Sequence, residues 1–179
     1  VPINMPKEIW ITDTTFRDGQ QSTSPFTVQQ IVDLFTLLHK LGGPKGLVRQ
    51  SEFFVYTEKD RQAIRACQEL GFEFPEITSW IRANDSDFEL VKSLGIKETG
   101  VLVSCSDYHI YNKMKLTRQQ AMDKYLGIVR KVLDAGIRPR CHFEDITRAD
   151  YYGFVLPFAE RLMELANEYN VPIKIRACD

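Results

Sequence analysis

Residues 11–22 read ITDTTFRDGQQS. The apolar run Ile9-Trp10-Ile11 stops there, and two acids, an arginine, two amides and four hydroxyls follow with one glycine and no proline. A strand-to-helix connection needs only a turn and a cap. If Ile9 and Ile11 share one side of a strand, Asp13 continues that side. Arg17 and Asp18 then fall in a short loop. A carboxylate suits a hard divalent cation, and an arginine beside it can hold an anion or a developing enolate oxygen. Spacing alone leaves a second reading open, a salt-bridged loop whose Thr and Asp residues cap the next helix.

Outward from this stretch the chain repeats one unit. Helix stops are read at Leu41-Gly42, Leu70-Gly71, Leu94-Gly95, Ala135-Gly136 and Tyr169-Asn170, where Gly or Asn can close a last turn. Apolar residues recur at threes and fours before each: Val28, Ile31, Phe35, Leu38, Leu41; Ile64, Cys67, Leu70; Leu90 or Val91 with Leu94; Ala121, Tyr125, Ile128, Val132; and Leu162, Leu165, Tyr169. Thr27 with Gln30 and Thr117 with Gln120 fit capping boxes, and Thr57 with Asp60 is a looser version. Asn84 or Asp85 caps the third helix. The fifth begins near Pro157 or kinks there. Strand-like runs lie at about 8–12, 47–51, 73–79, 99–105, 138–144 and 172–177.

Six strands alternating with five helices predict an α/β fold with a parallel sheet. Polar residues gather past the strand ends: Asp13, Arg17 and Asp18; Gln50 and Glu52; Ser79 and Arg82; Ser104 and Ser106; Glu144 and Asp145; and Asp179. In a (β/α)8 TIM barrel those ends converge on one mouth, whereas in an open doubly wound sheet the outer strands stand too far apart to share a site. This favours the barrel. No G-x-G-x-x-G follows a strand, so a dinucleotide fold has no support. Eight strands are needed and six are read, so residues 1–179 are expected to form one incomplete barrel domain lacking strands seven and eight. A first residue of Val1 points the same way.

The bulk numbers agree with a globular domain. Of 179 residues, 44% are hydrophobic and 26% charged, and 23 Lys+Arg against 24 Asp+Glu give a net charge of -1. That balance argues against nucleic-acid binding and gives no reason to expect a membrane surface. Cys67, Cys105, Cys141 and Cys178 are scattered, without a C-x-x-C pair, and are expected as buried reduced thiols in a cytoplasmic protein.

Asp13-Thr14-Thr15-Phe16-Arg17-Asp18-Gly19-Gln20-Gln21 resembles the D-T-T-x-R-D-G-x-Q signature of the DRE-TIM metallolyases, an HMGL-like family. The likeness continues through Ile81-Arg82-Ala83, Ser106-Asp107-Tyr108-His109, Lys113-Met114-Lys115, Phe143-Glu144-Asp145-Ile146-Thr147-Arg148 and Ala177-Cys178-Asp179. It is nearest to the 2-isopropylmalate and homocitrate synthase branch of that family.

The resemblance implies a transferase of amino-acid biosynthesis. Such an enzyme would be a divalent-metal-dependent acyltransferase joining an acyl-CoA, acetyl-CoA by expectation, to a 2-oxo acid. Lyases, aldolases and pyruvate carboxyltransferases belong to the same family, and a barrel without activity would serve binding alone. Carried over residue by residue, Asp18 is the expected ligand for Mg, Mn or Zn, with an H-x-H pair expected past Asp179. Arg17, Glu144 and Gln21 are the expected catalytic residues. Arg82, Gln50, Glu52, His109 and Thr147 are expected at the substrate. Gln50 stands where the synthases carry a glutamate, and Glu52 shares its strand face. Small-molecule substrates and a homodimeric full-length protein complete the expectations.

Overall fold

A computed structural model describes residues 4–179, so the reading of Val1 as a trimmed start lies outside the described residues. The chain divides into two compact units between Thr78 and Ser79. The first holds β1 (Ile11–Asp13), α1 (Val28–Gly42), β2 (Val48–Phe53), α2 (Glu58–Glu69) and the start of β3 (Glu76–Arg82). β1 and β2 run parallel, with Ile11 opposite Val48 and Asp13 opposite Ser51.

Local chemistry sets the helix starts of this unit. Thr27 and Gln30 close a full reciprocal capping box on α1. Thr57 and Asp60 do the same on α2, so the looser pair is as complete as the other. Each box satisfies two backbone donors that helix geometry leaves orphaned. The core between α1 and β2 is aromatic. Phe53 packs 4.7 Å from Phe16 and 6.0 Å from Phe35, centroid to centroid, and all three are buried. His39 stacks on Phe72 at 3.9 Å, with Nδ1 2.6 Å from the Phe74 carbonyl, which is a packing role.

Two residues of the helical stripes are not buried. Leu41 is 75% exposed, and Leu70 is also exposed. The contact side of α1 is instead Ile31, Phe35 and Gly42. Gly42 lies against Val48, where an added Cβ would meet the backbone nitrogen at 3.2 Å. Leu41 is one residue earlier, about 100° round the helix, and faces away. The chain then turns at Gly43, whose φ is 62°.

The second unit continues β3 and adds α3 (Asp85–Lys92), β4 (Glu98–Ser104), α4 (Arg118–Asp134), β5 (Arg138–Glu144), α5 (Leu156–Tyr169) and β6 (Lys174–Ala177). The strands pair in parallel, Ser79 with Thr99, Ser104 with Glu144 and Arg140 with Lys174. Asn84 caps α3, and Thr117 with Gln120 boxes α4. Pro157 lies in the first turn of α5, so the helix begins near it, entered directly from a π-helical turn. Ala121, Tyr125, Ile128 and Val132 of α4 are buried as the spacing predicts. The expected thiols Cys105 and Cys141 are buried here and Cys67 in the first unit, while Cys178 is half-buried.

Strand order follows chain order, β1 to β6, with none of the reversal that marks a doubly wound sheet. The fold is the β/α-barrel class, represented among the described residues by six parallel strands and five α-helices. Strand limits shift where proline intervenes. β3 starts at Glu76 and not at 73, because Pro75 has no N–H for the ladder; β6 starts at Lys174, after Pro172. β1 begins at Ile11 and is only three residues long. Two π-helical turns, Tyr108–Lys113 after β4 and Tyr151–Val155 before α5, complete the loops of the second unit. Among the described residues no helix is long and apolar enough to cross a membrane.

Candidate active-site residues

In the first unit the polar loop after β1 is organised around Arg17. Its Nε–H donates to Glu52 Oε1 at 2.6 Å, and its Nη atoms meet both Asp18 oxygens at 2.5 Å. The Glu52 side chain is wholly buried and that of Asp18 is 48% exposed. A carboxylate with no water around it must be paired, and the guanidinium supplies the pair. The loop is closed locally by Gln20, whose Nε2 donates to the Phe16 carbonyl at 2.7 Å and whose Oε1 accepts the Phe26 N–H at 3.0 Å. Gln21, expected as catalytic, is exposed beside it. Asp13 accepts the Thr15 hydroxyl at 2.6 Å and the Ser51 hydroxyl at 2.8 Å, tying the end of β1 to β2. Gln50 is buried on β2, two residues from Glu52, and donates to Glu76 Oε2 at 3.2 Å.

These residues answer the open question about the loop partly in favour of structure. Arg17, Asp18 and Glu52 form a salt-bridged group, and Thr27 caps α1. Asp18 still presents a half-exposed carboxylate. Among the described residues no group of three His, Cys, Asp or Glu is placed to hold a metal ion. Asp18 alone, engaged by Arg17, does not make a complete metal site.

In the second unit Glu144 ends β5 and accepts the Ser104 hydroxyl at 2.5 Å across the ladder from β4. Tyr125 of α4 donates to the Ser104 carbonyl at 3.2 Å and fixes that strand end. His109, in the first turn of the π-helical segment, places Nδ1 3.2 Å from Glu144 Oε2 and 4.0 Å from Asp145 Oδ2. The nitrogen is buried, but it lies off the line a hydrogen bond needs and makes none. Asp145 accepts Ser106 Oγ–H in a very short bond and Arg148 Nε–H at 2.7 Å. Arg148, followed by the Ser106 hydroxyl, holds the Asp145 carboxyl below the usual carboxylate range.

Two expected substrate residues are otherwise engaged. Arg82 forms a two-pronged pair with Asp87, Nε to Oδ2 and Nη2 to Oδ1, both at 2.8 Å. Thr147 donates to Asp179 Oδ1 at 2.5 Å on an exposed turn. Glu144 and His109 do come together. Asp145 and Ser106 were not singled out for a role from the sequence, although both lie inside segments that were. The signal was an acid directly following Glu144 and a hydroxyl three residues before His109.

Arg118 bridges Asp107 at 2.7 Å and Asp150 at 2.9 Å, linking the loop after β4 to the loop after β5. Its hydrogen bond holds the Asp107 carboxyl down, and the Gly153 backbone N–H does the same, with Arg118, for Asp150. The Tyr125 hydroxyl is pushed above its ordinary range by burial.

A profile of the HMGL-like family matches residues 8–177. The chain is 60% identical over 179 residues to a citrate (Re)-synthase of Clostridium kluyveri, covering all of this chain and 40% of that protein. It is 32% identical over 168 residues to a 2-isopropylmalate synthase of Sulfurisphaera tokodaii, covering 93% of this chain and 42% of that one. The chain thus spans about two fifths of the length of these curated relatives. Among solved structures, hydroxymethylglutaryl-CoA lyase from Pseudomonas aeruginosa superposes with a TM-score of 0.68 at 17% identity, over 97% of this chain and 59% of that one, a likeness of fold.

Proposed function

The chain belongs to the HMGL-like family, and from that premise we propose that it is the N-terminal part of a barrel enzyme condensing acetyl-CoA with a 2-oxo acid. We further propose that the acid is oxaloacetate and the product citrate. The observation that carries this reading is the 60% identity to a citrate (Re)-synthase, which extends over every residue of the chain. The identity to a 2-isopropylmalate synthase is about half as great, which moves the substrate away from the branch favoured by the motifs alone.

The reaction is balanced without an external oxidant. A base removes a proton from the acetyl methyl group, and the resulting carbon attacks the keto carbon. The new alkoxide takes up a proton, and water cleaves the thioester to release coenzyme A as a free thiol. Three groups of the chain match these demands. Arg17 is a fixed cation suited to an oxyanion. Glu144 and His109 are adjacent groups suited to moving a proton. Asp18 is the carboxylate proposed to ligate Mg, Mn or Zn, together with residues outside this chain; such an ion would polarise the keto group, and no step above is drawn through it. A homodimeric, cytoplasmic enzyme is the accompanying proposal.

The test is thiol release by the longest form of the protein carrying this chain, given acetyl-CoA, Mg²⁺ or Mn²⁺ and a panel of 2-oxo acids. Oxaloacetate should give the highest kcat/KM, by about 100-fold over 2-oxoisovalerate, since the two differ by a charged group that a site must either pair or exclude. Thiol release with no 2-oxo acid sinks the reading. A preference for 2-oxoisovalerate sinks the choice of substrate.

A further inference from the structure

Asp145 follows Glu144 in the chain, yet its backbone is left-handed, with φ 61° and ψ 35°. This region is uncommon for a residue with a Cβ, although Asp enters it more readily than most, and here its carboxylate partners hold it in place. The residue is 94% buried, from a relative exposure of 6%. Its two carboxylate oxygens are divided. Oδ1 takes the Arg148 Nε–H at 2.7 Å, and Oδ2 takes the Ser106 hydroxyl.

The Ser106 oxygen has given its hydrogen to Asp145 and so acts only as an acceptor toward the next group. That group is the backbone N–H of His109, at 3.3 Å. A continuous chain therefore runs from Arg148 through Asp145 and Ser106 to the main chain that carries the imidazole. At its end, His109 Nδ1 lies buried 3.2 Å from Glu144 Oε2 without an aligned bond. The same Glu144 oxygen, Oε2, also accepts the Ser104 hydroxyl. A small rotation of the ring closes the His109–Glu144 bond, and such bonds commonly tighten only when substrate is present.

We propose that Asp145 and Ser106 are positioning residues that set His109 against Glu144, so that the two move the proton as a pair. This rests on the condensing reaction proposed above. A cap on the turn would need only the Ser106 hydroxyl. Asp145 adds what a cap does not: it follows Glu144 directly in the chain, and its carboxylate holds the Ser106 hydroxyl that accepts the His109 N–H, so the two groups are tied to one segment.

Two measurements on the full protein test it. In steady state, Asp145→Asn and Ser106→Ala should each lower kcat about 100-fold while the KM for the 2-oxo acid stays within about threefold. Ser106→Thr, which keeps the hydroxyl, should restore most of the rate. Equal loss in a Ser106→Thr variant that melts like the parent would overturn the proposal. Independently of turnover, the ¹⁵N resonances of the His109 imidazole should move in both Asp145→Asn and Glu144→Gln. If the parent protein shows no condensation, the functional reading fails, yet the resonances still decide the positioning. Imidazole signals unmoved by Asp145→Asn would sink it.

Discussion

Arg17 donates its Nε–H to a Glu52 carboxylate that has no exposure of its own, at 2.6 Å. The two lie 35 residues apart in the chain, so the bond fixes the loop after β1 to β2. Removing one member of a buried pair leaves the other charged and without that partner. Glu52→Ala should therefore lower the unfolding free energy by about 3 kcal/mol. Urea denaturation followed by circular dichroism reads it, and a loss below about 1 kcal/mol would show the pair to be dispensable.

The aromatic contacts of Phe53 supply a second prediction. With Phe16 at 4.7 Å and Phe35 at 6.0 Å, its ring fills the space between α1 and the sheet. Phe53→Ala should cost about 4 kcal/mol, transfer and cavity together. Leu41→Ala, at an exposed site on the same helix, should change the urea midpoint little.

Helix starts are testable one at a time. Thr117→Ala removes an acceptor for the Gln120 N–H and should cost about 1 kcal/mol. Thr57→Ala should cost as much, since its box with Asp60 is equally closed. A negligible effect at Thr57 alone would mean that the shorter acid does not complete the box in solution.

Acid stability follows from three depressed carboxyls, Asp107, Asp145 and Asp150. Their folded pKa values lie below the unfolded value of about 3.9. The stability they contribute is thus fully present above pH ~4 and is lost as pH falls through the folded values. Urea midpoints should fall below that pH, and Asp145→Asn should make the acid limb shallower. An unchanged limb in that variant would contradict the assignment.

Thiol chemistry separates the cysteines. Burial pushes Cys67 and Cys141 up to about 12 and raises Cys105 as well. At pH 8 the thiolate fraction at these sites is negligible, and access is blocked too. Of the four cysteines, only the half-buried Cys178 should react promptly with an aromatic disulfide, the other three appearing after denaturation.

What could be read in advance was whatever short-range chemistry decides. Caps at Thr27, Thr57 and Thr117, the stripe on α4 and the limits of β5 all follow from residues a few positions apart. The family likeness brought in Arg17, Asp18 and Glu144. Long-range pairings were not legible: nothing local announces that Glu52 belongs to Arg17 or that Ser106 serves Asp145. Adjacent Gln20 and Gln21 are chemically alike, and only the path of the loop decides which one turns inward. The left-handed Asp145 was hidden for a related reason, because one of the partners that hold its carboxylate, Ser106, is 39 residues away.

The sequential strand order bears on how the chain comes together. Ser79 pairs with Thr99, Glu98 with Arg138 and Arg140 with Lys174, partners only 20, 40 and 34 residues apart. No strand in these ladders waits for a distant segment. A polypeptide emerging from the ribosome can add each strand to the last one laid down, so loop-closure entropy rises in small steps. Growth by accretion of this kind favours early order at the N-terminal side and a nascent edge that is always the most recent strand.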